Sequence, residues 1–351
     1  MKKLITLLLA VGILALSLCA FLGCKDQSPS SITIAVPDGG PALGMSYLMK
    51  EFPEIEGVTV TYKIVDGANG IKAAVSSGEA DVALMPTNMA ALLYNGGLDI
   101  KLVGTNSHGL LYLLSDDQEF TIESLKGKVL HTVGKGGTPE AVLEKVLTSN
   151  DIEWVESDTP DETGTKVALK FHDDGTTIIG GLTKGNIHYA VLGEPAVSTA
   201  IQKAKAQGIT LSIVCDLQAE WKSVTGGNAS YPQTALVAKG SLIESNRKLI
   251  EKIAKLTIDC AIELEKDATP YITYLKEAGA TVPPTFGKEG VARTNIDPTF
   301  GTTAKAEVTA YLTILKDFKA PLIGGKLPDD GFYCENMEEI ATYRSIAKAF
   351  S

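Results

Sequence analysis

The sequence predicts an α/β protein built as two lobes, each a mixed, mostly parallel sheet with flanking helices, joined by two inter-lobe crossings. Three observations predict it. Strand, turn-forming loop and helix follow one another three times between residues 32 and 94. A second series of such units begins after residue 110, and from Ser241 onward the pattern turns helical. Alternation of strand and helix is what a sheet of parallel strands covered by helices requires. The length agrees, since 351 residues exceed one compact core and suffice for two lobes of roughly 100–200 residues each.

Each element has a local reason. Ile32-Thr33-Ile34-Ala35-Val36 is β-branched and alternating, hence a strand. The run from Pro37 to Ala42 breaks it before a helix over 43–52. Residues 58–65 form the second strand, and Asp66-Gly67-Ala68-Asn69 turns into a helix ending near Val75. A third strand over 80–85 stops at Pro86, where Thr87 or Asn88 caps a helix over 89–94. In the second series, 128–133 is a strand and 134–138 a glycine-rich loop. The helix that follows, over 139–149, starts with proline at its first position. Strands over 167–171, 189–192 and 210–214 and a helix over 195–206 complete the series, and the polar stretch 155–166 reads as an exposed insertion. In the tail, apolar residues at three- and four-residue spacing (Leu249, Ile250, Ile253, Leu256) predict a long helix over 243–264, with further helices over 270–277, 304–318 and 335–350. The crossings fall at 103–114 and 231–237. The division is therefore 32–106 for the first part of lobe one, 107–234 for lobe two, and 235–351 for a helical part returning to lobe one.

Composition excludes several classes. Hydrophobic residues make up 44% and charged residues 21%, a folded balance and not a disordered one. Lys2 and Lys3 lie within residues 1–23, so without that segment the balance is 30 basic against 42 acidic residues, a net charge of −12. Such a chain lacks the basic footprint of a nucleic-acid binder. The five cysteines are too few for a disulfide scaffold.

The N-terminus sets the compartment. Lys2 and Lys3 precede the uncharged apolar run from Leu4 to Leu18, the form of an export signal over 1–23. Phe21-Leu22-Gly23-Cys24, followed by polar residues, resembles a bacterial lipobox, which implies lipidation of Cys24 and a short tether over 24–31. Acyl chains contribute about 0.8 kcal/mol per buried CH₂, and two or more anchor stably. The expected location is the outer face of the cell membrane, held by lipid. An uncleaved anchor helix and plain secretion are the alternatives.

In open α/β sheets, ligands lie beyond the carboxyl ends of the strands. Asp38 and Gly39 follow the first strand, and Thr87 and Asn88 the third. Gly136, Gly137 and Thr138 open a helix in lobe two, where free backbone N–H groups favour negative charge by roughly 0.3–1 kcal/mol. Glu194 follows a strand ending at Leu192 and accepts from an amine or hydroxyl. Asn106 and Tyr231, one in each crossing, complete the candidate ligand-binding set. Tyr47, Tyr94, Tyr112 and Trp221 are further rings on which a solute can stack, although such aromatics pack in cores more often.

Several blocks, in order, resemble the solute-binding proteins of ABC importers for taurine, alkanesulfonates, nitrate and thiamine precursors. They are Gly78-Glu79-Ala80-Asp81-Val82-Ala83-Leu84-Met85-Pro86, Leu125-Lys126-Gly127-Lys128, Gly134-Lys135-Gly136-Gly137-Thr138-Pro139-Glu140, Ala190-Val191-Leu192-Gly193-Glu194-Pro195 and Asn246-Arg247-Lys248. The resemblance spans most of residues 32–350. It implies a type II periplasmic-binding-protein fold whose lobes close on a sulfonate-like anion or a thiamine-precursor-like heterocycle. It also implies handover to a permease with its ATPase, a monomeric protein, no cofactor and no catalysis.

Two rival readings are a sensor lipoprotein that signals to a receptor and an enzyme on the same fold. Against the enzyme, the chain has no Gly-x-Ser-x-Gly elbow and no phosphate-binding Gly-x-x-x-x-Gly-Lys-Ser/Thr loop. His108, His131, His172 and His188 lack the His-x-x-x-His spacing of zinc sites, so no metal is expected.

Overall fold

The computed structural model describes residues 29–226, 231–283 and 286–350. The expected export signal over 1–23 and the lipidation residue Cys24 lie outside the described residues. The chain first lays down β1 (Ser31–Pro37), β2 (Glu54–Ile55), β3 (Val58–Val65), β4 (Val82–Pro86) and β5 (Ile100–His108). It then builds a second sheet from β6 (Leu111–Ser115), β7 (Val129–Val133), β8 (Trp154–Glu156), β9 (Val167–His172), β10 (Tyr189–Gly193) and β11 (Ser212–Asp216). It returns to the first sheet with β12 (Pro232–Lys239) and β13 (Ile296–Phe300). The strand orders are β13-β5-β12-β4-β1-β3-β2 and β11-β6-β10-β7-β9-β8.

In the first sheet β4, β1 and β3 run parallel, because a helical segment follows β1 and another follows β3. The remaining pairings there are antiparallel, more than simple alternation predicts, since β12 and β13 return from later in the chain. In the second sheet β10, β7, β9 and β8 are parallel, and β6 pairs antiparallel with both β10 and β11. The chain passes between sheets at Gly109 and Leu110, and again between the helix Leu217–Val224 and β12. The helix Arg247–Lys266 buries Leu249, Ile250, Ile253 and Leu256 against the first lobe's core, as its apolar spacing predicts.

Some local expectations change. The helix expected over 43–52 is two short ones, Gly40–Leu43 and Ser46–Glu51, broken at Gly44 and Met45. Thr87 and Asn88 do not cap. Pro86 holds the cap position, and both residues begin the helix Thr87–Asn95 itself. Unforeseen were the helix Gly175–Leu182, whose three glycines mask it and whose N-terminus Asp174 caps, and β13, which carries Pro298 and lies at a sheet edge. Gly104 of β5 lies under this edge strand. A Cβ there would come within 2.4 Å of the Phe300 ring and 2.5 Å of the Thr299 carbonyl oxygen, so only glycine permits the approach.

Among the described residues no helix is long and apolar enough to cross a membrane. Cys215, Cys260 and Cys334 are free thiols, and burial pushes Cys215 and Cys260 up to about 12.

His131 and His172 face each other from β7 and β9, with Nδ1 and Nε2 2.9 Å apart and the rings stacked. Burial, then the neighbouring His172, pushes His131 down from 6.5 to about 4. The unfolded chain therefore binds a proton that the folded one refuses. The stability contributed is complete above the unfolded value and is lost as pH falls through the folded one. The melting temperature should drop as pH falls over this range, and drop less for His131→Gln. Equal slopes in a pH series of melting curves would refute the assignment.

Candidate functional site

Strand ends from both sheets converge on one cleft of about 200 Å³. The first lobe contributes the loops after β1 and β3 and the end of β4. The second contributes the loops after β7, β9 and β10. Gln233 and Thr234 of β12, with Leu110 at the first crossing, form further lining. Because parallel strands end together, their following loops gather at one edge of each sheet, and the two edges face each other here.

Of the sequence-based candidates, Asp38, Gly39, Thr138 and Glu194 line the cleft. Asp38 accepts hydrogen bonds from the backbone N–H groups of Gly39 (2.8 Å) and Thr281 (3.0 Å), which tie the loop after β1 to the tail. Gly39 adopts φ 94°, a conformation that favours glycine. Glu194 is buried. Its Oε1 accepts from Arg293 Nε (2.7 Å) and Ser198 Oγ (2.9 Å), and its Oε2 from the Ser198 N–H (3.1 Å). Nothing in the local sequence around Glu194 points to Arg293, the last residue of the helix Lys288–Arg293.

The remaining candidates do not line the cleft. Asn88 is buried, and its amide donates to the carbonyls of Gly136 (3.2 Å) and Leu322 (3.3 Å). Thr138 Oγ1 donates toward Asn88 Oδ1 (3.3 Å) and the Gln233 carbonyl (3.2 Å). The Asn88 and Thr138 segments therefore face and bond each other across the lobes. Thr87 is buried, with its hydroxyl unpartnered among the described residues. Asn106 is buried, donates to the Gly44 carbonyl (3.4 Å) and fills the space that a side chain at Gly44 would need. The Gly136 N–H donates to the Glu140 carboxylate, and Gly137 caps the helix Thr138–Ser149. Tyr231 is buried between Trp221 and Tyr311, with ring centroids 5.4 and 6.2 Å away.

Further contacts hold the lobes together. The Tyr112 hydroxyl donates to the Arg293 carbonyl (3.1 Å), and Arg293 Nη2 to Ser198 Oγ (3.1 Å). Lys319, at the end of the helix Gly301–Lys319, reaches Glu144 Oε2 at 2.8 Å and Glu140 at 3.5 Å. Burial raises the Glu144 carboxyl, and Lys319 offsets only part of this. Among the described residues no group of three or more His, Cys, Asp or Glu is placed to hold a metal ion.

No protein-family model matches the chain, and no curated protein matches it. Solved structures do. An ABC transporter protein from Parabacteroides distasonis is 25% identical with a TM-score of 0.70, the match covering 88% of this chain and 99% of that one. The periplasmic aliphatic sulphonate binding protein of Escherichia coli is 15% identical with a TM-score of 0.61, covering 86% and 96%. The alkanesulfonate-binding protein of Xanthomonas axonopodis pv. citri, bound to MOPS, is 14% identical with a TM-score of 0.59, covering 86% and 96%. Two mixed sheets with flanking helices, two crossings and these neighbours together show that this chain has the type II periplasmic-binding-protein fold, similar to the binding proteins of ABC transporters.

Proposed function

We propose that the protein is an extracytoplasmic solute-binding lipoprotein that hands a small organic solute to an ABC permease and its ATPase. The observation that carries this reading is the cleft, whose walls are strand ends of both sheets. Across the lobes, Asn88, Thr138 and Arg293 make hydrogen bonds that exist only when the lobes are together. A solute held there is enclosed by both lobes, and its contacts favour the closed form over the open one. Asp38, Gly39, Thr138 and Glu194 are the candidates placed to meet it, directly or through the loops they fix. Asn88, Gly136 and Gly137 then act in closure. Lipid on Cys24 keeps the protein beside its permease.

The chemistry proposed is binding without turnover. A thermal-shift panel of sulfonates, amines and heterocycles tests it, because a solute at 100 times its Kd adds about 2.7 kcal/mol to stability. The expected result is a shift by one chemical class and recovery of that compound unchanged. Conversion of the compound during the assay would replace this reading with an enzymatic one.

A further inference from the structure

We infer that the solute of this cleft is uncharged, with a compact aliphatic body and one amide-type end that Gln233 reads. The inference rests on the solute-binding reading above and names the chemical class that this site takes.

The walls set the body of the solute. Pro37, Leu110, Val133, Leu192, Pro195 and Ala196 give the cleft aliphatic surface. Among the described residues no Phe, Tyr, Trp or His lines it, so a flat aromatic solute finds no ring to stack on. The volume of about 200 Å³ suits a small molecule, since an apolar cavity of about 150 Å³ holds benzene. One saturated ring or branched chain with a single polar substituent fits.

The lining also sets the charge. Among the described residues no Lys or Arg lines the cleft to neutralise an anion. Of the carboxylates, Glu194 pairs with Arg293, Asp38 accepts from the N–H groups of Gly39 and Thr281, and Asp174 accepts from that of Thr176. Asp66 and Asp173 are exposed, where water screens them. An ion of either sign would give up its hydration on closure and gain no buried counter-charge.

One polar group is left over. Gln233 lines the cleft, and its Oε1 is buried with no hydrogen-bond partner among the described residues. No other described lining residue has a buried side-chain nitrogen or oxygen in that state. The neighbouring hydroxyls are occupied: Thr138 donates to Asn88 and to the Gln233 carbonyl, and Thr234 accepts from Ser107 Oγ at 2.9 Å. A buried acceptor without a donor is costly, and native proteins leave few of them. An N–H of the solute supplies the missing donor. Because a glutamine amide carries an acceptor and donors side by side, its complement is another amide or a lactam, which offers an N–H to Oε1 and a carbonyl to Nε2.

The test uses the purified protein with ε-caprolactam and cyclohexanecarboxamide as neutral amides, cyclohexylamine as a cation, and cyclohexanecarboxylate and ethanesulfonate as anions. Melting temperature and calorimetric Kd are both read. At least one amide should raise the melting temperature, with an affinity indifferent to salt. Gln233→Met keeps the length of the side chain and removes the amide. It should weaken that probe by on the order of tenfold and leave the melting temperature of the empty protein the same or higher. Shifts produced only by charged probes would overturn the charge assignment and leave solute binding standing. Undiminished amide binding by Gln233→Met would overturn the role given to Gln233. An empty variant that melts below the parent would overturn it too, by making Gln233 a structural residue. A panel in which nothing shifts the protein would count against the solute-binding reading itself.

Discussion

Replacing Arg293 with Gln should weaken solute binding by on the order of 100-fold while leaving the melting temperature of the empty protein nearly unchanged. Glu194 has no exposed side-chain surface, and Arg293 is its cationic partner at 2.7 Å. Removing one member of a buried ion pair costs about 3–5 kcal/mol, because the other charge is left uncompensated. The Arg293 side chain is itself 29% exposed, so the lower end of that range applies. Because the Arg293 contact joins the two lobes, the cost is expected to fall on closure and not on folding. Calorimetric titration of the solute identified by the panel measures it directly. Glu194→Gln combined with Arg293→Gln should recover most of the affinity, since two neutral side chains leave no orphaned charge. Unchanged affinity in the single Arg293 variant would show that binding does not require this contact.

The second large effect is on stability. Trp221 is 1% exposed and packs edge-on to Tyr231 and tilted against Tyr311, with ring centroids at 5.4 and 5.6 Å. It comes from the helix after β11, while Tyr311 belongs to the helix Gly301–Lys319 of the other lobe. Truncation of Trp221 to Ala leaves a large void at the crossing, and Phe or Trp to Ala changes in cores cost about 3–5 kcal/mol. A fall in melting temperature on the order of 10 °C is expected, with Trp221→Phe intermediate. A Trp221→Ala protein that melts with the parent would mean that the lobes are not joined through this cluster.

Much of the architecture was legible because it is local. Alternation in 32–36 and 58–65, proline and glycine at strand ends, and the apolar stripe from Leu249 to Leu256 each report burial of one face, and that burial is repeated in the fold. The helix Gly175–Leu182 was hidden by its low-propensity glycines, and β13 by its proline. Trp221 and Tyr231 were read as possible stacking rings for a ligand. Sequence cannot distinguish a ring that faces a cleft from one buried beside it, because both are apolar and both adjoin a crossing.

The sequence by itself determined the α/β class, the two series of strands and the loops at their carboxyl ends where Asp38, Thr138 and Glu194 stand. The tertiary structure decided which of those loops face one another. It also set Glu194 against Arg293, 99 residues away, and Asn88 against Gly136, 48 residues away. The reason is physical. Periodicity and turn chemistry act within a few residues, whereas pairing across lobes depends on closing long loops, whose entropy grows only with the logarithm of their length and so selects no particular partner.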